Sequence, residues 1–158
     1  MTLYCFDIKT ALIEPALAQA GLNHPGLAEL LSAIALTEQG LTEPGRFGPF
    51  AMTASQHQAV WDEYIARSPE LACQIRGLAS QHRFLADPHQ ELSLNWGYAT
   101  VMAALHCLYH AGGKLPDISN SELAAEFWHS AFRPDQIVNK ADFCHHLEHC
   151  SEGNHLAA

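Results

Sequence analysis

The stretch LNWGYATVMAALHCLYHA (residues 94–111) decides the fold class. Leu94, Tyr98, Val101, Met102, Leu105, Leu108 and Tyr109 recur at spacings of three and four, the period of a helix face. Trp96, Ala99, Ala103 and Cys107 make the other faces apolar as well. A helix apolar nearly all round has no solvent side and must run through the middle of the molecule. Gly112 and Gly113 end it, and Pro88 after Asp87 starts it.

Proline and glycine divide the chain on either side into further helix-length pieces. The spacing predicts helices over 3–20, closed by Gly21; over 25–39, with Pro25 in the first turn and Gly40 closing it; over 55–67; and over 69 to about 85. Ser119-x-x-Glu122 reads as a capping box for a helix reaching about Phe132, and Pro134 as the start of the last one. Alternating β-branched and polar runs are nearly absent. The expectation is an all-α, or nearly all-α, domain over 1–150 around a buried central helix, with 151–158 as a frayed tail.

The composition bounds the function. With 158 residues, 48% of them hydrophobic, the chain can bury a core without disulfides or a structural metal. Seventeen acidic residues against eight basic ones give a net charge of -9, and the three lysines and five arginines are scattered. That pattern excludes nucleic acid and anionic membrane surfaces as partners. No apolar run reaches the roughly 18–20 residues of a membrane span. The first 21 residues carry Asp7, Lys9 and Glu14 where a signal peptide is apolar, so the expected course is cytoplasmic synthesis without Sec export. Five cysteines, widely spread and without a C-x-x-C pair, argue against a disulfide framework and read mostly as small buried residues.

One segment breaks the helical pattern. LTEPGRFGPFAMT (residues 41–53) holds two prolines, two glycines and two phenylalanines, and its aromatics favour an ordered, functional loop over a disordered insert. Just before it, the apolar stripe Leu27, Leu30, Leu31, Ile34 leads four residues on to Glu38. Either Glu38 rolls into solvent as the helix ends, or a carboxylate continues the buried face beside the negative end of the helix dipole. In the second case desolvation and the dipole both favour its protonated form, which a general acid needs.

Thr37-Glu38-Gln39-Gly40, followed by Gly45-Arg46-Phe47-Gly48-Pro49-Phe50-Ala51-Met52-Thr53, resembles the lysozyme-like superfamily, in particular goose-type lysozymes and soluble lytic transglycosylases. In those proteins a helix ends on the catalytic glutamate and leads to a Gly-Leu-Met-Gln-like loop. Residues 87–99, DPHQELSLNWGYA, resemble the family pattern that opens the central helix, with Tyr98 at the family tyrosine. The resemblance covers roughly residues 25–112. Ala51 stands where the family usually has a sugar-contacting glutamine, Glu91 replaces an asparagine, Asn95 replaces a glycine, and the late Ala-Tyr-Asn-Ala-Gly signature is echoed only by residues 123–129.

The resemblance implies a peptidoglycan-cleaving enzyme without a cofactor or catalytic metal, acting on the β-1,4 bond between N-acetylmuramic acid and N-acetylglucosamine. Glu38 would protonate the glycosidic oxygen through an oxocarbenium-like transition state. In a lytic transglycosylase its carboxylate then takes the proton of the sugar's 6-hydroxyl, closing a 1,6-anhydro ring. Arg46, Phe47, Gly48, Phe50, Trp96 and Tyr98 would form the substrate-binding side. A hydrolase needs a second carboxylate to position water, and the sequence offers Glu43, Asp62, Glu63, Asp87 and Glu91. The alternatives are a chitinase or chitosanase on the same scaffold, or a non-catalytic relative that holds glycan or protein. The partners implied are peptidoglycan strands and, without a Sec signal, a secretion machine, a phage or an immunity or inhibitor protein.

Two further patterns remain. His145 and His149 share a helix face near Cys144 and Cys150, a spacing that either grips a metal or meets the helix C-terminal dipole in solvent; the second reading is the simpler one. His106 and His110 repeat it on the central helix, where bonds to core neighbours are expected. Eleven histidines could carry the net charge from -9 towards +2 as pH falls through about 6.5, so wall binding is expected to strengthen from about pH 8 to 6.

Overall fold

The computed structural model describes residues 5–152, with side chains from residue 7 onward. Among the described residues it is all-α apart from one two-stranded hairpin. Helix α1 (5–20) stops at Gly21, whose left-handed φ of 69° turns the chain away. Helix α2 (Leu27–Gln39) begins two residues later than Pro25 suggests, because Gly26 is also left-handed. The hairpin β1 (Arg46–Phe47) and β2 (Met52–Thr53) follows, antiparallel, with Arg46 opposite Thr53 and Phe47 opposite Met52. Helix α3 (54–67) is opened by a capping box between Thr53 and Gln56.

The next predicted helix is two: α4 (Pro69–Leu78) and α5 (Gln81–Ala86), parted by extended Ala79 and Ser80. The central helix is also interrupted. A short α6 (Glu91–Leu94) ends at Asn95, and α7 (Trp96–His110) restarts from it. Asn95 makes the break because its side chain competes for the backbone: Oδ1 accepts the Tyr98 N–H, while Nδ2 donates to the Leu78 carbonyl and to Glu91.

Helix α8 (Ser121–Phe132) is capped by Asn120, not by the expected Ser119 box. Ser119 instead donates its N–H and hydroxyl to Asp117. Helix α9 (Lys140–Glu152) starts six residues beyond Pro134 and still includes Ser151 and Glu152, which the sequence assigned to the tail; the remaining tail, 153–158, lies outside the described residues.

Helix α7 is the core, with every residue from Tyr98 to Leu108 buried, and it packs on α1, α2, α3, α4, α6 and α8. Helix α2 lies beneath α9, and Trp128 of α8 stacks on Phe143 of α9 with ring planes 8° apart. Among the described residues no helix is long and apolar enough to cross a membrane. The loop between α8 and α9 turns Arg133 inward, onto Glu38 at the end of α2.

Candidate functional site

Glu38 continues the buried stripe of α2. Leu27, Leu30, Leu31 and Ile34 are fully buried, and the Glu38 side chain has no exposure. It does not roll into solvent, and it is not a lone carboxylate in an apolar pocket either. Trp128 Nε1–H donates to Oε1 at 2.9 Å. Arg133 donates from Nε to both oxygens, at 3.1 and 3.0 Å, and from Nη2 to Oε2 at 2.6 Å. Charged and polar N–H groups thus bond both carboxyl oxygens.

Arg133 is spent in full. Its Nη1 donates to Glu43 Oε2 at 2.9 Å and to Gln136 Oε1 at 2.5 Å, and Nη2 reaches the Leu41 carbonyl. Burial pulls its pKa down, but the bonds to Glu38 and Glu43 outweigh burial and leave the guanidinium above its ordinary value. A buried guanidinium between two carboxylates is the electrostatic centre of the site.

Glu38, Glu43, Arg46, Gly48, Pro49 and Ala51 line an open cleft of about 270 Å³ between the end of α2 and the hairpin. Of the five carboxylates that spacing leaves open as a second acid, Glu43 is the one in this cleft. Asp62 faces Gln58, Glu63 takes the Tyr109 hydroxyl, Asp87 accepts the N–H groups of His89 and Gln90, and Glu91 is buried on Ser80 and Asn95. Side-chain bonds from Gln136 and then Arg46 hold Glu43 below the usual carboxylate range, with Arg133 adding to them against desolvation. Glu38 and Glu43 are balanced locally by Arg46 and Arg133, so the overall charge of -9 is not the charge of the cleft.

Gly48 is required at the rim. Its φ is 73°, and a Cβ there would lie 2.1 Å from the Leu92 carbonyl oxygen and 2.9 Å from its carbon. Gly48→Ala is expected to cost roughly 3 kcal/mol through strain and overlap. Urea denaturation checks this, and a loss under about 1 kcal/mol would mean the hairpin does not dock on α6 as described.

The other residues singled out by sequence scatter. Tyr98 is buried; its hydroxyl accepts the Trp61 Nε1–H at 2.9 Å and lies 2.7 Å from His57 Nε2. His57 Nδ1 faces His89 Nδ1 at 2.9 Å. The assignment that satisfies every atom has Tyr98 donating to His57 and His57 donating to His89. No hydrogen bond joins Tyr98 to Glu38 among the described residues. Phe50 is 1% exposed and therefore packs in the core, with no face for a sugar. Phe47 is half-buried with its ring 5.9 Å from that of His89, and Trp96 is exposed beside Ser93.

The histidine-rich end of α9 is built from local contacts. The His145 and His149 rings lie 4.3 Å apart, His149 bonds to the His145 carbonyl, and His146 meets the Thr37 hydroxyl at 3.0 Å. No group of three or more His, Cys, Asp and Glu side chains is placed to hold a metal among the described residues. His106 donates to the Ala131 carbonyl, as a core histidine does, and His110 meets Ser130. The cysteines need a correction: Cys150 is disulfide-bonded, while Cys73, Cys107 and Cys144 are free. An odd count with no paired motif hides a bridge that only the fold can bring together.

Arg133, Trp128, Gln136 and His57 are not singled out by sequence. The only trace of them is the faint late echo over 123–129, which holds Trp128 and stops short of Arg133. No family model, curated protein or solved structure matches the chain.

Proposed function

We propose that the protein cleaves the β-1,4-linked amino-sugar strands of peptidoglycan, with Glu38 as the proton donor. The observation that carries the reading is the arrangement of one buried carboxylate at the end of α2 and a glycine-rimmed hairpin on the two sides of an open cleft. The bridged Cys150 adds support, since disulfides persist in oxidising compartments such as those where cell walls lie.

For the chemistry, Glu38 must carry a proton when the glycosidic oxygen arrives. Arg133 is the group that must yield, and Glu43, Gln136 and the Leu41 carbonyl are already in place to keep its charge satisfied. As the glycosidic bond breaks, the proton passes from Glu38 to the leaving oxygen, and the new carboxylate falls back onto Arg133 and Trp128. Return of that proton from the sugar's 6-hydroxyl makes a transglycosylase; its return from water makes a lysozyme.

A second reading, a non-catalytic relative that holds glycan, is favoured by the full set of bonds on Glu38 and its lack of exposure. Purified peptidoglycan separates the two. Soluble muropeptides should appear with the wild type and fall at least about a hundredfold with Glu38→Gln, measured on protein shown to be folded by circular dichroism. Products lighter by one water identify the anhydro ring. Wild-type binding to the wall without release of fragments would leave the second reading standing, and release of chitin oligomers instead would move the substrate to chitin.

A further inference from the structure

Arg46 is held unusually firmly for a cleft arginine. Its Nε donates to Glu43 at 2.9 Å, and its Nη1 donates to two backbone carbonyls, Ala51 at 3.0 Å and Phe132 at 3.1 Å. Three bonds to the loop, the hairpin and the end of α8 fix the guanidinium plane. Nη2 donates to no described residue. The buried side-chain atoms without a partner among the described residues are Glu91 Oε2 and His106 Nδ1, and Arg46 Nη2 is not among them. Nη2 therefore keeps some exposure to solvent, and Arg46 is one of the residues that line the cleft.

We infer that Arg46 Nη2 is the position that reads an acidic group on the glycan, namely the lactyl carboxylate of a muramic acid residue that carries no stem peptide. The inference rests on the proposed glycan reading and adds a basis for choosing among glycans. A charged N–H donor fixed in place before binding loses little freedom when it bonds, and it favours a carboxylate over a neutral hydroxyl. The neighbouring charge does not oppose the approach. Glu43 is shared among Arg46, Arg133 and Gln136, and Glu38 is held by Arg133 and Trp128. A chitin chain has no group to use the position, whereas a peptidoglycan strand stripped of its stem peptides offers one on every second sugar.

The test compares three soluble ligands by isothermal titration at pH 7: a GlcNAc-MurNAc oligomer, the same oligomer with its lactyl carboxyl groups reduced to alcohols, and chitotetraose. The intact oligomer should bind the wild type about tenfold more tightly than its reduced counterpart. Arg46→Lys keeps a positive charge but loses the fixed fork, and it should bring that ratio below about threefold. Because the ratio is taken on one protein sample, a loss of folded fraction in the variant does not move it. Equal binding of intact and reduced oligomers to the wild type, or an unchanged ratio in Arg46→Lys, overturns the inference even where cleavage is observed. A ratio of about tenfold without cleavage supports the inference and defeats the enzyme reading alone. No binding of any of the three overturns both.

Discussion

Replacing Arg133 with Met should lower the free energy of unfolding by about 3–5 kcal/mol, a large share of the roughly 5–15 kcal/mol that stabilises an ordinary small domain. The reason is not the attraction the ion pair supplies, which the cost of burying two charges largely offsets. Removal of the guanidinium leaves Glu38 with no exposure and only the Trp128 N–H, and leaves Glu43 without one of its donors. Glu38→Gln is milder, since Arg133 keeps Glu43, Gln136 and the Leu41 carbonyl. The double variant Glu38→Gln/Arg133→Met should recover part of the loss, which makes the coupling measurable as a double-mutant cycle in urea. A cost below about 1 kcal/mol for Arg133→Met would mean that water reaches Glu38 and that the described burial is wrong.

Acidification from pH 6.5 to 4 should cost about 3 kcal/mol through His57 alone. Burial, with the adjacent His89 adding to it, lowers the His57 pKa to about 4. The depressed value gives the sign. Above about 6.5 His57 is neutral in both states and contributes no slope; below it the unfolded chain takes up a proton that the folded chain refuses, and stability falls until about pH 4. His106 acts in the same direction, because burial outweighs its bond to Ala131. The carboxylates held below their ordinary values, Glu43, Asp117 and Glu126, weaken the fold only as pH falls through those ordinary values, 4.5 for the glutamates and 3.8 for the aspartate, and beyond. Chemical denaturation at half-unit steps from about pH 7.5 to 4 checks this. His57→Gln should be less stable at neutral pH, losing its bonds to Tyr98 and His89, yet flatter across the window. An equal slope in the variant would place the acid sensitivity elsewhere.

The same histidines change an expectation drawn from composition. Charging all eleven would carry the net charge from -9 towards +2. His57, pushed down to about 4 by burial and His89, stays neutral over the range in which wall binding is expected to strengthen, and burial holds His106 and His146 below the ordinary histidine value, so they charge less readily than composition assumes. Composition counts titratable groups as if each stood in water, and the fold decides which of them do.

The helical class, the central helix and the ordered loop after Glu38 are all legible in the chain, because each depends on residues close in sequence. A helix apolar on every face has one place to go; the stripe Leu27, Leu30, Leu31 and Ile34 leads by period to Glu38 but leaves its burial open, and the fold decides that it is buried. The breaks are less legible. Asn95 and Asp117 win backbone bonds with their side chains, and for Asn95 the outcome depends on Leu78 and Glu91, which lie in other turns. What only the tertiary structure decided is the state of the site. Arg133 stands 95 residues from Glu38 and 90 from Glu43, and nothing in the spacing announces that one guanidinium holds both. The bridge at Cys150, the Tyr98–His57–His89 chain and the fixing of Arg46 by two distant carbonyls belong to the same class of fact. Periodicity says which face of a helix is buried, but the partner a buried polar group finds there is set by where the other helices come to rest.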